Sequence, residues 1–163
     1  MSSARRPRPT IVVAVDGSPS SAQALRWAAR QAAVTGGELH AVTAWHLPDY
    51  YGWATVADDV DWAENGRTVL EQTIKETLEP DEAARTQRHV LEGHPAEVLL
   101  SQAADADLLV VGSRGQGGFA GMLLGSVSQH VTAHAPCPVV VVHGDHLPSP
   151  EAAGAAAPSP AEE

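Results

Sequence analysis

The apolar run Leu108-Leu109-Val110-Val111 passes without a break into Gly112-Ser113-Arg114-Gly115-Gln116-Gly117-Gly118, and the chain then reaches Gly125-Ser126. Four consecutive apolar residues stopped by glycine read as a strand buried on both faces, the pattern of a parallel sheet. Beyond Gly125, the residues Val127, Val131 and His134 fall on one side of a helix, with Ser126 placed as its N-cap. A strand, a glycine loop and a helix pointing its N-terminus back at the loop make an anion-binding arrangement. Glycine admits positive φ and close approach, while free N–H groups and the helix dipole favour phosphate. The alternative is a plain connection that needs no ligand. Arg114 either adds charge to this loop or lies in solvent.

The rest of the chain alternates between the same two signals. Thr10 to Val15 reads as a buried strand. Ser18-Pro19 supplies an N-cap and an N1 proline for a helix running to about Thr35, which Gly36-Gly37 stops. Leu39 to Trp45 reads as a second strand, Val60 to Leu78 as a second helix, Arg85 to Leu91 as a weaker third strand and Pro95 to Ala104 as a short helix. Asp107 to Val111 and Val139 to Val142 complete five strands alternating with four helices, an α/β pattern that implies a parallel sheet with right-handed crossovers and helices on both faces. Residues 1–8, with Arg5, Arg6 and Arg8, and residues 144–163, rich in Ala, Pro, Ser and Glu, have no means of building a core. They are expected to be disordered, around a single domain at 9–143.

The spacing Gly-x2-Gly-x9-Gly-Ser, carried by Gly112, Gly115, Gly125 and Ser126, resembles the ATP-binding signature of the universal stress protein family. The similarity extends through Leu123 to Ser128, through His134-Ala135-Pro136-Cys137-Pro138 into Val139 to Val142, and at the other end through Ile11 to Ser18. It covers about residues 9 to 143, with 46 to 90 matching only in general layout. Alternation alone does not fix a strand order. The resemblance implies a doubly wound, Rossmann-like sheet of the adenine nucleotide alpha hydrolase type, in the order 3-2-1-4-5, with a crevice between the carboxyl ends of strands one and four.

ATP is the ligand the resemblance implies. Main-chain groups of Gly112, Ser113, Arg114, Gly115, Gln116, Gly117 and Gly118 would surround phosphates and ribose, and Gly125, Ser126 and Val127 would add N–H groups or a hydroxyl. The main chain of Ala14 and Val42 would line the adenine pocket. Asp16 either forms the turn before Ser18 or contacts the ribose and helps hold Mg²⁺, a hard cation suited to carboxylate and phosphate oxygens; the resemblance favours the second. It also implies a single-domain member, the length leaving no room for a second copy, and a homodimer through the edge strand Val139, Val140, Val141 and Val142.

Composition narrows the function further. A formal charge of −10 and a pI near 5.1 argue against a nucleic-acid partner. Lys75 is the only lysine, so the glycine loop is not a Walker A motif. No apolar run approaches the ~20 residues of a membrane span, and no signal-type core follows Arg5-Arg6. The lone Cys137 cannot form an internal disulfide and reads as a small buried residue, which fits a reducing, cytoplasmic setting. Eight dispersed histidines suggest no metal cluster; His130 and His134 share a helix face, with His134 suited to the helix end. Five of seven aromatics fall between Trp45 and Trp62, either packing over the sheet edge or forming a lid or partner patch. The expected function is an ATP-binding, nucleotide-dependent stress sensor or regulator with an unnamed protein partner. Rivals are a phosphotransferase, a ligase or slow ATPase on the same fold, and a nucleotide-free chaperone-like protein.

Overall fold

A computed structural model describes residues 7–47, 60–115 and 123–143 of the 163-residue chain. Its elements are β1 (Thr10–Ala14), α1 (Pro19–Thr35), β2 (Glu38–Trp45), α2 (Trp62–Thr77), α3 (Pro80–Arg85), β3 (Gln87–Glu92), α4 (Pro95–Ala103), β4 (Leu108–Gly112), α5 (Ser126–His134) and β5 (Val139–Val142). The five strands form one parallel sheet in the order β3-β2-β1-β4-β5, as expected. The expectations for residues 1–6, 48–59, 116–122 and 144–163 lie outside the described residues.

Side chains alternate across β1, so one strand feeds two cores. Ile11, Val13 and Val15 pack with Leu25 and Ala28 of α1 and with Leu70 and Ile74 of α2. On the other face, Val12, Val42, Leu109 and Val111 pack with Val98 and Leu99 of α4 and Val131 of α5. Leu25 and Leu70 are fully buried, and each contributes about 2 kcal/mol by leaving water. This double coverage is why the strands read as unbroken apolar runs.

The caps follow local chemistry. Ser18 accepts from the Ser21 N–H with Pro19 at the first helical position, and Gly36 closes α1 at φ 67°. Asp61 caps α2 by accepting from the Glu64 N–H at 3.0 Å. The additional helix is α3, a six-residue segment held by reciprocal bonds between Glu79 and Glu82 and burying no residue. Four helices are expected and five occur among the described residues, because a six-residue helix with no buried face leaves no periodic signal.

Candidate functional site

The sheet is built outward in opposite directions from β1 and β4, and a cleft of about 510 Å³ opens at their carboxyl ends. One part of its wall is apolar, built from Ala14, Val42 and Ala44 of the sheet with Pro95 and Leu99 of α4. The other is polar and glycine-rich, where Asp16, Gly112, Arg114 and Gly115 meet Gly125, Ser126 and Val127. Loop and helix are held together there by Gly125 N–H donating to the Ser113 carbonyl at 2.7 Å.

The glycines at this cleft have different reasons to be glycine. At Gly112 an added Cβ would stand 2.8 Å from the backbone carbon of Ser20, so close packing of α1 on β4 requires it. At Gly115 it would meet the Asp16 carboxylate at 2.8 Å. At Gly125 nothing lies closer than 3.5 Å, so the protein's own packing leaves that position open to a side chain. None of the three has positive φ, contrary to the expectation; among the described residues that conformation belongs to Gly17, Gly36 and Gly93. Their use is close approach.

Ser126 is not the N-cap. Gly125 takes that place with φ −70° and ψ 167° and no side-chain bond, putting Ser126 in the first turn. A serine cap would have occupied one of the helix's orphan N–H groups, whereas a glycine cap leaves them facing the cleft. Ser113 is buried, donating its N–H to Val142 O at 2.8 Å, and anchors the loop beneath the cleft without lining it. Arg114 lines the cleft and is exposed. Gln116, Gly117 and Gly118 lie outside the described residues.

Asp16 forms the expected turn and also reaches the cleft wall. Its Oδ1 accepts from the Ser18 N–H at 2.9 Å, forming the turn into α1, and the same carboxylate lines the cleft. Ser21, which sequence reading passed over, donates to Ser18 O at 3.0 Å and also lines the cleft.

On β2 the cleft wall includes the expected Val42 and extends two residues further, to Ala44. Val42 contributes to the wall, but its carbonyl already accepts from the Val15 N–H at 2.8 Å. The Val15 carbonyl in turn takes the Thr43 hydroxyl at 2.8 Å, and the ladder between β1 and β2 stops. Main-chain groups two residues apart in a strand face the same neighbour. Ala44 therefore presents the next N–H and C=O toward the side that β1 has vacated. No sequence motif marks Ala44; the availability of its main chain depends on where β1 ends.

Cys137 is partly buried, and burial followed by Asp107 pushes its thiol pKa up, so it behaves as a small packing residue. No group of three or more His, Cys, Asp or Glu side chains suited to a metal occurs among the described residues. Trp45 and Trp62 are half-buried, and Tyr50, Tyr51 and Trp53 lie outside the described residues. No described helix is long and apolar enough to cross a membrane.

Comparison with known proteins matches residues 7–143 to the universal stress protein family. A universal stress protein of Mycolicibacterium smegmatis is 37% identical over 133 residues, covering 81% of this chain but 45% of that protein. The chain thus spans about half the length of this curated relative. A solved universal stress protein in complex with cAMP is 29% identical with a TM-score of 0.59, covering 86% of this chain and all of the other. That from Archaeoglobus fulgidus in complex with dAMP is 26% identical with a TM-score of 0.55, covering 83% of this chain and 97% of the other.

Proposed function

Because the chain belongs to the universal stress protein family, we propose that its cleft binds an adenine nucleotide, ATP with Mg²⁺, and that the protein acts as a nucleotide-dependent regulator in a stress response. The observation that carries this reading is the conjunction at the polar end: a helix N-terminus without a side-chain cap faces Gly115 across Gly125, where a Cβ would come no closer than 3.5 Å to any other group. Phosphate would take the first-turn N–H groups of α5. The base would lie against Val42, Leu99 and Pro95, within reach of the Ala44 main chain. Solved relatives that hold cAMP and dAMP support a nucleotide of this class. Asp16 would face the ribose or the cation.

The direct test is to denature the purified protein and identify any released nucleotide by mass spectrometry, followed by calorimetric titration with ATP, ADP, AMP and cAMP. Micromolar binding of at least one adenine nucleotide is expected. An empty protein that binds none overturns the reading.

Assembly belongs to the same proposal. Val142 O faces β4, where it accepts from Ser113 N–H, so Val140 faces β4 as well and Val139 and Val141 face outward. Two copies pairing antiparallel along β5 would satisfy those outward groups about a two-fold axis. Val141→Pro removes an outward N–H and should convert the dimer to monomer in sedimentation while the fold persists. Val140→Pro breaks the ladder to β4 and should lower thermal stability. A folded Val141→Pro dimer would mean that β5 is covered in another way.

A further inference from the structure

Three pairs of histidine rings lie in contact among the described residues, and they differ in what their nitrogens can still do. His40 Nδ1 and His89 Nε2 stand 2.9 Å apart, so this pair is closed on itself by a hydrogen bond. His130 and His134 sit one turn apart on α5 with ring centres 4.6 Å apart and planes only 11° from parallel. His134 Nδ1 faces the His130 carbonyl at 3.1 Å, both rings stand on one helix, and neither lines the cleft. His46 and His94 differ from both. They come from separate elements, the end of β2 and the start of α4, their ring centres are 4.7 Å apart, and their planes cross at 40°.

We propose that His46 and His94 form a two-imidazole site for a divalent first-row transition metal, Cu²⁺, Ni²⁺ or Zn²⁺, at the mouth of the cleft. Both side chains are exposed, and His46 lines the cleft. His46 Nδ1 lies 3.1 Å from the Leu47 carbonyl. A carbonyl only accepts, so Nδ1 carries the proton and Nε2 keeps its lone pair. An N–H held by a backbone carbonyl is the outer-shell bond that fixes the tautomer of metal-binding histidines. The ring of His94 makes no capping bond at α4.

The separation fits a shared ion. A metal–nitrogen bond of about 2.0–2.1 Å places each ring centre about 3.2 Å from the metal. Ring centres 4.7 Å apart then correspond to an N–metal–N angle of about 95°, the cis angle of square-planar or octahedral coordination. Water fills the remaining positions, since both rings face solvent. This site differs in kind from oxygen coordination of Mg²⁺ at Asp16: imidazole selects the later transition metals, with Cu²⁺ bound most tightly. The inference stands without the nucleotide reading.

The test titrates Ni²⁺ into the untagged full-length chain by calorimetry, with no nucleotide present. One site per chain is expected, weakened at least tenfold by His46→Ala and by His94→Ala and unchanged in the double variant His130→Gln/His134→Gln. His94→Asn retains an N-cap residue for α4 and serves if His94→Ala disturbs that helix. In the electron paramagnetic resonance spectrum of bound Cu²⁺, the nitrogen splitting should report two imidazoles in the wild type and one in either single variant. Absence of a site in the wild type, binding that survives both single substitutions, or loss in the α5 double variant each overturns the proposal.

Discussion

The two ends of the sheet carry hollows of nearly equal size, about 510 Å³ at the carboxyl ends of the strands and about 460 Å³ at the amino ends, yet their walls are built to opposite effect. At the amino end the main chain is closed. Thr10 N–H donates to the Asp107 carboxylate at 2.8 Å, Asp107 N–H to Thr10 O at 2.9 Å, and Glu38 N–H to Pro9 O at 2.8 Å. The helix terminus there is the C-terminal end of α1, sealed by Gly36, beside Arg8 and Arg85. At the carboxyl end the β1–β2 ladder stops short and α5 begins without a side-chain cap. Volume does not distinguish a site from a gap between packed elements. Open donors at a positive helix terminus differ from a sealed terminus in that they would favour an anion.

The sharpest way to break this comparison is to close the open end. Gly125→Asp places a strong N-cap residue where a Cβ meets nothing closer than 3.5 Å, so α5 should hold its stability or gain some. The same carboxylate would occupy the helix N–H groups and repel phosphate, weakening nucleotide binding at least tenfold, about 1.4 kcal/mol or more. Gly112→Ala forms the control. Its Cβ would press on the backbone of Ser20, which should cost about 1–3 kcal/mol of stability through overpacking. Thermal melts and nucleotide titrations of both variants separate the roles. Unchanged affinity in folded Gly125→Asp would remove the basis for the assigned phosphate position.

That contrast also marks what sequence could disclose. The α1 start was legible because capping is local: Ser18-Pro19 carries both the acceptor and the preset φ. The sheet was legible because burial on two faces makes apolar runs. The start of α5 was misjudged by one residue, since Gly125 and Ser126 are both acceptable caps and only the loop's path decides between them. Gly112 lines the cleft as expected of a site glycine, but the clash a Cβ would make there is with Ser20 of α1, a contact between residues far apart in sequence. The Ala44 edge was hidden for a related reason, because the availability of its main chain depends on where a different strand ends.

Two aspartates sharpen the comparison at lower amplitude, one at each end of the sheet. Asp107→Ala removes the acceptor of the Thr10 N–H and should lower stability by about 1 kcal/mol while leaving nucleotide affinity unchanged. Asp16→Asn retains an amide oxygen for the Ser18 N–H, so the turn should persist. Its nucleotide affinity should fall about three- to tenfold, more with Mg²⁺ than without if the carboxylate holds the cation. A deficit independent of Mg²⁺ would point to ribose contact. Equal losses of stability in both variants would reduce the carboxylates to the same structural role.

The smallest effect concerns the closed histidine pair. Burial, followed by the nearby His40, lowers the His89 pKa below its ordinary 6.5. The folded protein therefore holds His89 neutral where the unfolded chain would already bind a proton. A group with a depressed folded pKa contributes stability that is present above its unfolded value and is lost as pH falls through the folded one. Melting temperature should accordingly decline on acidification from pH 7 toward 5, and His89→Gln should flatten that slope by removing the titration. The Glu38 carboxylate lies 3.7 Å from His40 Nε2, on the far side of the pair from His89 Nε2. Differential scanning calorimetry of wild type, His89→Gln and His40→Gln across this range reads it directly. A slope that persists unchanged in His89→Gln would place the acid sensitivity in other groups and leave the pair as a packing contact whose hydrogen bond survives protonation.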